Sequence, residues 1–237
     1  MAVPAGREDG DVGGISPGGQ WFRDQRMNDL LLATSNPAKL IRLRLLLEGL
    51  PYRLLAPTDL GLDGEPAVEE TGVQFAANAS LKAEAWSRAA GGLAAIASDG
   101  GMAIPALGAR WDALRTRRQA GPAATDEGRI SHLLALMTGL TGEDRRAVWY
   151  EAVALVAGAT VRSWTEQGDG GLIVERAPEI RRAGGFWTEE VRWYPVLGKL
   201  LRDCSEEERE KVNDVWPRLA TRVRATLMCY PLEDARP

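Results

Sequence analysis

The stretch LLLATSNPAKLIRLRLLLEGL, residues 30–50, decides the fold. Leu30-Leu31-Leu32-Ala33 is a short apolar run of the kind that forms a buried strand, and it passes directly into the polar turn Thr34-Ser35-Asn36 ahead of Pro37. Asn is a favoured N-cap because its side-chain oxygen accepts from the free N–H groups of the first helical turn. Pro suits the first helical position, where no N–H is needed. A helix therefore starts at Pro37 and runs to about residue 50. Strand, tight turn and helix open an α/β fold, in which ligands collect beyond the carboxyl ends of the strands. The free N–H groups, the positive end of the helix dipole, the Thr34, Ser35 and Asn36 side chains and the Lys39 ammonium make a cradle for a phosphate-like anion. Taken alone, the turn fits an ordinary strand-to-helix connection equally well, so the rest of the chain has to decide.

The pattern outward from this unit predicts strands at 29–34, 52–56, 93–98 and 102–105, with helices at 37–50, 73–90 and 125–139. AVWYEAVALVAG (147–158) and ATVRSWTEQ (159–167) read as paired strands, and GLIVER (171–176), after a turn at Gly168-Asp169-Gly170-Gly171, reads as a third. Ser205 and Glu208 form a capping box for a further helix, and Pro217 separates it from a last helix ending near Met228. The expected architecture is a mixed central sheet flanked by helices, in two lobes with a cleft between them. Residues 1–26, rich in Gly, Pro and charge, read as a flexible tail, 27–230 as one domain and 231–237 as a C-terminal tail. Met27 directly precedes the first strand and could be the natural start.

Chemistry-bearing residues follow the cradle at short intervals. An acidic loop ends in EETG (Glu69–Gly72), and the next helix carries Phe75, Ala79 and Leu81 toward a core, with Asn78 and Lys82 one turn apart on a neighbouring face. AIASDGG (95–101) places Asp99 at the end of an apolar strand, and LRTRRQAG (114–121) supplies arginines. Singly, Lys82 reads as a solvated helix charge and Glu69-Glu70 as a solvated loop. Together they match what cleavage of a polyphosphate requires. One or two carboxylates hold a divalent cation with the substrate's own oxygens, and a base positions water.

The order and spacing of TSNPAK, EETG, the Phe75–Lys82 helix, SDGG and the Arg117 segment resemble the inosine triphosphate pyrophosphatases, hydrolases of non-canonical purine nucleoside triphosphates. The resemblance is dense from Leu30 to Gly121 and patchier from Arg145 to Leu227. It implies an ITPase-like, or anticodon-binding-like, α/β fold, a homodimer, and Mg2+-dependent conversion of a nucleoside triphosphate to monophosphate and pyrophosphate. It also implies that Asp99 binds metal and acts as general base, that Glu70 binds metal, and that Lys82 serves the phosphate or the attacking water. Thr34, Ser35, Asn36, Lys39, Asn78 and Gly100 fall in the matching motifs, and Arg117 matches an Arg of the fourth motif. Phe186, Trp187, Trp193 or Tyr194 would stack on the base, or belong to the core.

Several departures mark a divergent member. The family carries two adjacent aspartates and then Ser-Gly, where this chain has Ser98-Asp99-Gly100-Gly101, so one carboxylate and one hydroxyl are missing. GGFWTEEVRWYP (184–195) replaces Gly-Gly-Phe-Gly-Tyr-Asp-Pro. Arg209 stands where the family has a substrate-binding Lys, and Asn213-Asp214-Val215 where it has Ser-His-Arg. An Asp facing a keto oxygen would set acceptor against acceptor at a cost of about 1–3 kcal/mol, which favours an amino-bearing base. Two alternatives stand beside an active enzyme: a nucleotide-binding module with degenerate catalysis, and a Maf-type pyrophosphatase, which the EETG and SDGG contexts fit less well.

Composition narrows the partners. At 237 residues the chain suits one α/β domain, and a net charge of −4 argues against nucleic-acid polymers, whose backbone calls for a basic face. Two isolated cysteines, Cys204 and Cys229, and the single His132 speak against zinc and for a reducing, cytoplasmic setting. No apolar stretch is long enough to cross a bilayer.

Overall fold

In the computed structural model, which describes residues 28–68, 71–180, 187–212, 215–229 and 232, seven strands form one sheet in the order β2-β1-β3-β4-β5-β6-β7. β1 (Asn28–Leu32) pairs in parallel with β2 (Tyr52–Leu55) on one side and with β3 (Ala95–Ala103) on the other. From β3 onward the pairing is antiparallel, through β4 (Arg146–Ala157), β5 (Thr160–Ile173), β6 (Arg192–Tyr194) and β7 (Lys199–Leu200). Helices α1 (Pro37–Leu46), α2 (Phe75–Ala89), α3 (Asp126–Leu136), α4 (Glu206–Lys211) and α5 (Val215–Cys229) complete the α/β fold that the sequence predicts.

The two faces of the sheet differ in grain. On one, Ala97, Ala152 and Ala154 meet Ala79 and Ala83 of α2, and these short side chains let the helix lie close to the strands. Phe75 stacks on Tyr150 at its end, with ring centroids 5.8 Å apart. On the other, Leu30, Leu32, Ile96, Val153 and Leu155 pack with Leu43 and Leu46 of α1 and with Leu219, Val223 and Leu227 of α5. Each fully buried leucine of this kind contributes about 1.5–3 kcal/mol. Leu81, expected in the core, is half-buried, and Trp86 takes that role on α2. Arg145 anchors the start of β4, its guanidinium donating to the carbonyls of Met137, Leu140, Ile173 and Val174 at 2.6–3.1 Å.

Two glycine-rich segments depart from the sequence reading. Ser98-Asp99-Gly100-Gly101 does not end a strand: β3 runs unbroken from Ala95 to Ala103, because β4 pairs with it at every residue over that span. Gly168–Gly171 likewise lies inside β5 rather than turning between two strands. There a β-carbon on Gly170 would fall 2.5 Å from the Ala147 carbonyl carbon, and Gly171 adopts φ +75°. The glycines accommodate a local bulge where the register shifts between Arg146 and Val148. Of the predicted C-terminal tail, Leu232 is tied to the sheet, accepting from Asn28 Nδ2 at 2.9 Å. The predicted N-terminal tail, with Met27, lies outside the described residues.

One mismatch of strand lengths positions the site. β1 touches β3 at Leu31↔Ala95 and Leu32↔Ile96, then turns away into α1. β3 continues to Ala103, so its flank from Ser98 onward faces the start of α1 across open space.

Candidate active site

That space is a cleft of about 360 Å³. Thr34, Asn36 and Lys39 line it from the start of α1. Asn36 spends its side chain on the helix, Oδ1 accepting from the N–H groups of Ala38 (2.9 Å) and Lys39 (3.4 Å), while Thr34 Oγ1 accepts from Asn36 N–H at 3.1 Å. The turn is thereby rigid before any ligand arrives. Lys39 Nζ reaches across the cleft and donates to the Ser98 carbonyl at 3.1 Å, bridging α1 to the flank of β3. Ser35 is exposed and outside the lining, its N–H 3.5 Å from Glu65 Oε1.

Asp99 and Lys82, expected to serve the same chemistry, meet directly in the structure. Lys82 Nζ lies 2.6 Å from Asp99 Oδ1, joining α2 to β3. The other oxygen, Asp99 Oδ2, is buried and has no hydrogen-bond partner among the described residues. Asn78 is not in the lining. It is buried, and its Oδ1 accepts from Gly72 N–H at 2.9 Å, which pins the end of the acidic loop to α2.

Beside Asp99 stands a carboxyl group that sequence reading passed over. Glu151, fully buried in β4, is directly opposite Gly100. Its Oε2 accepts from Trp149 Nε1 at 3.2 Å, and the neighbouring Ser98 hydroxyl helps to hold its charge. Burial raises its pKa from 4.5 to about 7; the Lys39 ammonium opposes that rise and the Asp99 carboxylate adds to it. Both glycines after Asp99 are demanded by close contacts. A β-carbon at Gly100 would lie 2.2 Å from Glu151 Oε2, and one at Gly101 would lie 2.1 Å from the Ala113 carbonyl oxygen.

The remaining walls are basic and aromatic. Arg115, Arg117, Arg118 and Arg129 line one side. The segment that carries the first three is held against β3 by Thr116, whose Oγ1 accepts from Met102 N–H (2.9 Å) and donates to the Ala113 carbonyl (2.7 Å). Arg129 is fixed by Asp126 at 2.6 Å and by the Arg117 carbonyl at 3.0 Å. Trp86, Trp149, Trp187 and Thr188 also face the cavity. Six cations around one cavity suit a ligand as anionic as a polyphosphate, and the indoles offer flat apolar surface for a ring. Of these residues the sequence singled out Arg117, Lys39, Lys82 and, for stacking, Trp187. Arg115 and Arg118 had the signal of the same basic run; Arg129 and Trp149 had none.

Residues 30–213 match the model of the Ham1 family. The chain belongs to the Ham1 family. It is 34% identical over 220 residues to a dITP/XTP pyrophosphatase of Anaeromyxobacter sp., covering 78% of this chain and 90% of that one. A dITP/XTP pyrophosphatase of Erwinia tasmaniensis is 33% identical over 194 residues, covering 79% and 88%. Among solved structures, the nucleoside-triphosphatase / dITP/XTP pyrophosphatase of Mycobacterium abscessus superposes with a TM-score of 0.59 at 27% identity, over 86% of this chain and 99% of that one. The Staphylococcus aureus Ham1 protein shares the fold at a TM-score of 0.66 and 24% identity, over 85% and 98%. The resemblance carried by TSNPAK, EETG and SDGG is borne out.

Within this Ham1 fold several predicted residues sit elsewhere. Arg209 is buried outside the cleft, bound by Glu189 at 3.0 Å and by the Leu201 carbonyl at 3.0 Å, so it serves packing between α4 and the Trp187–Glu190 turn. Tyr194 is buried with its hydroxyl on the Asp169 carbonyl, and Trp193 is outside the lining. Val215 is packed in the core, which leaves no polar group at that position for a base. Glu70, Phe186, Asn213 and Asp214 lie outside the described residues. Among the described residues, no three His, Cys, Asp or Glu side chains gather into a metal-holding cluster, so a cation here would depend on substrate oxygens as well. The buried carboxyl groups of Asp99, whose Oδ2 has no hydrogen-bond partner among those residues, and of Glu151 suit a hard cation in their chemistry. No helix of the described residues is long and apolar enough to cross a membrane.

Proposed function

We propose that the chain is a Mg2+-dependent nucleoside triphosphate pyrophosphohydrolase that releases nucleoside monophosphate and pyrophosphate, acting on non-canonical purine nucleotides of the dITP, ITP or XTP kind. The observation that carries this reading is the Lys82–Asp99 pair, with Asp99 Oδ2 left without a partner at the edge of a cation-lined cleft. Lys39, the α1 N-terminus and the arginines bind the triphosphate tail. Lys82 fixes the orientation of Asp99, whose Oδ2 takes a proton from the water that attacks the α-phosphorus. The bond from that phosphorus to the bridging oxygen breaks, and the arginine wall stabilises the charge on departing pyrophosphate. Asp99 and, by the matching motif, Glu70 would hold Mg2+, which would supply neutralisation of the phosphate charge.

The names of the relatives support this substrate class. Base selection is altered from the family's toward an amino-bearing or otherwise modified purine beside these, a reading supported by the core position of Val215 and by Asn213-Asp214 in place of Ser-His. Homodimerisation and a cytoplasmic setting belong to the same reading, the second supported by free Cys204 and Cys229. Pyrophosphate release from inosine, deoxyinosine, xanthosine and canonical triphosphates with Mg2+ tests it. Turnover by the wild type that falls at least 100-fold in Asp99→Asn is expected. Triphosphate binding without turnover of any of them would instead identify a binding module.

A further inference from the structure

Position 98 holds Ser where the motif it matches carries a carboxylate, and position 100 holds Gly where that motif carries a hydroxyl. Glu151 answers both changes. It is paired directly with Gly100 across the β3–β4 ladder, so its side chain emerges on the same face as Ser98 and lies over the space a β-carbon at 100 would fill. β1 has already turned away at this level, and the carboxyl group therefore reaches the cleft through the flank of β3.

A buried carboxyl can be structural, but a structural one satisfies its oxygens. Here, among the described residues, Asp99 Oδ2 is buried without a hydrogen-bond partner, and Glu151, fully buried on the other face of the sheet, has only Trp149 Nε1 and the Ser98 hydroxyl beside it; both carboxyl groups line one cavity where β1 has left the flank of β3 open. Leaving such an atom unpaired costs about 1–3 kcal/mol, which a ligand that accepts lone pairs recovers. Hydrogen-bond donors of the ligand are scarce at a triphosphate, whose oxygens are themselves acceptors. A divalent cation takes lone pairs from carboxylate, hydroxyl and phosphate alike.

We propose that Glu151 is the second carboxylate of the cation site, delivered from β4 in place of the one that position 98 no longer supplies. It binds the divalent ion together with Asp99 and the triphosphate oxygens, and Gly100 exists to make room for it. This rests on the pyrophosphohydrolase reading of the cleft and assigns a ligand that reading does not contain.

Mn2+ binding in the presence of a non-hydrolysable nucleoside triphosphate analogue, followed by electron paramagnetic resonance of the free ion and compared with the analogue alone, tests it without turnover. Glu151→Gln keeps the size of the group and an acceptor for Trp149 Nε1 while removing the charge. Its Mn2+ dissociation constant should rise about 10–100-fold, with the far-ultraviolet circular dichroism spectrum unchanged. Ser98→Asp placed in that variant should recover most of the affinity, since it returns a carboxylate to the same face. If Glu151→Gln does not fold, Glu151→Asp, which withdraws the charge by one methylene, should weaken Mn2+ in the same direction. Wild-type Mn2+ affinity in Glu151→Gln, alongside loss in Asp99→Asn, overturns the assignment of Glu151 and leaves the enzyme reading intact. Absence of both Mn2+ binding and triphosphate turnover in the wild type overturns both.

Discussion

Replacing Glu151 by Gln should stabilise the metal-free protein at alkaline pH and do nothing at acid pH. The folded protein holds the Glu151 proton up to about pH 7, against 4.5 in the ordinary carboxyl, because burial disfavours the charge more than Lys39 relieves it, while Asp99 adds repulsion. Below pH 4.5 the group is protonated in both folded and unfolded chains, and burying it carries no electrostatic cost. As pH rises from 4.5 through 7 the unfolded chain ionises first, so wild-type stability falls; above 7 the full cost is present. At 1.36 kcal/mol per pH unit between the two values, that cost is about 3 kcal/mol. For a chain of this length each kcal/mol moves the melting temperature by about 2–4 °C. Scanning calorimetry in a chelator should therefore show Glu151→Gln melting about 6–12 °C above wild type at pH 8 and close to it at pH 4.5. Parallel melting curves across that range would refute the account of a buried, disfavoured charge, and so would a variant less stable at pH 8.

Other outcomes follow from contacts already described. Gly100→Ala places a β-carbon against Glu151 Oε2 and the Tyr150 carbonyl, and overpacking of that order costs about 2 kcal/mol, a fall of about 4–8 °C that a second change, Glu151→Ala, should reverse only in part, since the Tyr150 carbonyl stays. Arg145→Ala removes one buried guanidinium, leaves four backbone carbonyls without their donor and should destabilise by about 3 kcal/mol or more, read from urea midpoints. Lys82→Met leaves Asp99 without its positioning partner, and kcat should fall about 100-fold or more with a smaller change in KM. Arg118→Ala removes a cation from the cleft wall and should raise KM for triphosphates, more so at low salt.

The parts of the site legible in the sequence are those built from local signals. Asn36 and Pro37 specify a helix start by their own hydrogen-bonding and φ preferences, and α1 begins there. Lys82 and Asp99 come together because a helix and the strand that follows it have one way to pack. Glu151 was illegible for the opposite reason. In AVWYEAVALVA a lone Glu inside an apolar strand says nothing of what stands across the ladder, and register is settled only once β3 and β4 pair. The same pairing overruled the turn-forming habit of Gly100-Gly101 and kept β3 extended. Asn78 and Arg209 show a further limit: their types and spacings fit a phosphate, yet Asn78 is consumed by the Gly72 N–H and Arg209 by Glu189. Sequence identifies which groups can bind a ligand, and packing decides which of them are left over to do so.

The contact between positions 100 and 151 also constrains ancestry. With a β-carbon at 100 only 2.2 Å from the Glu151 carboxylate, a forebear with Ser at 100 could carry Glu at 151 only by moving that side chain aside. Glycine at 100 is thus the cheaper state while the glutamate remains, and related chains should combine a side chain at 100 with Glu at 151 less often than Gly at 100 with it.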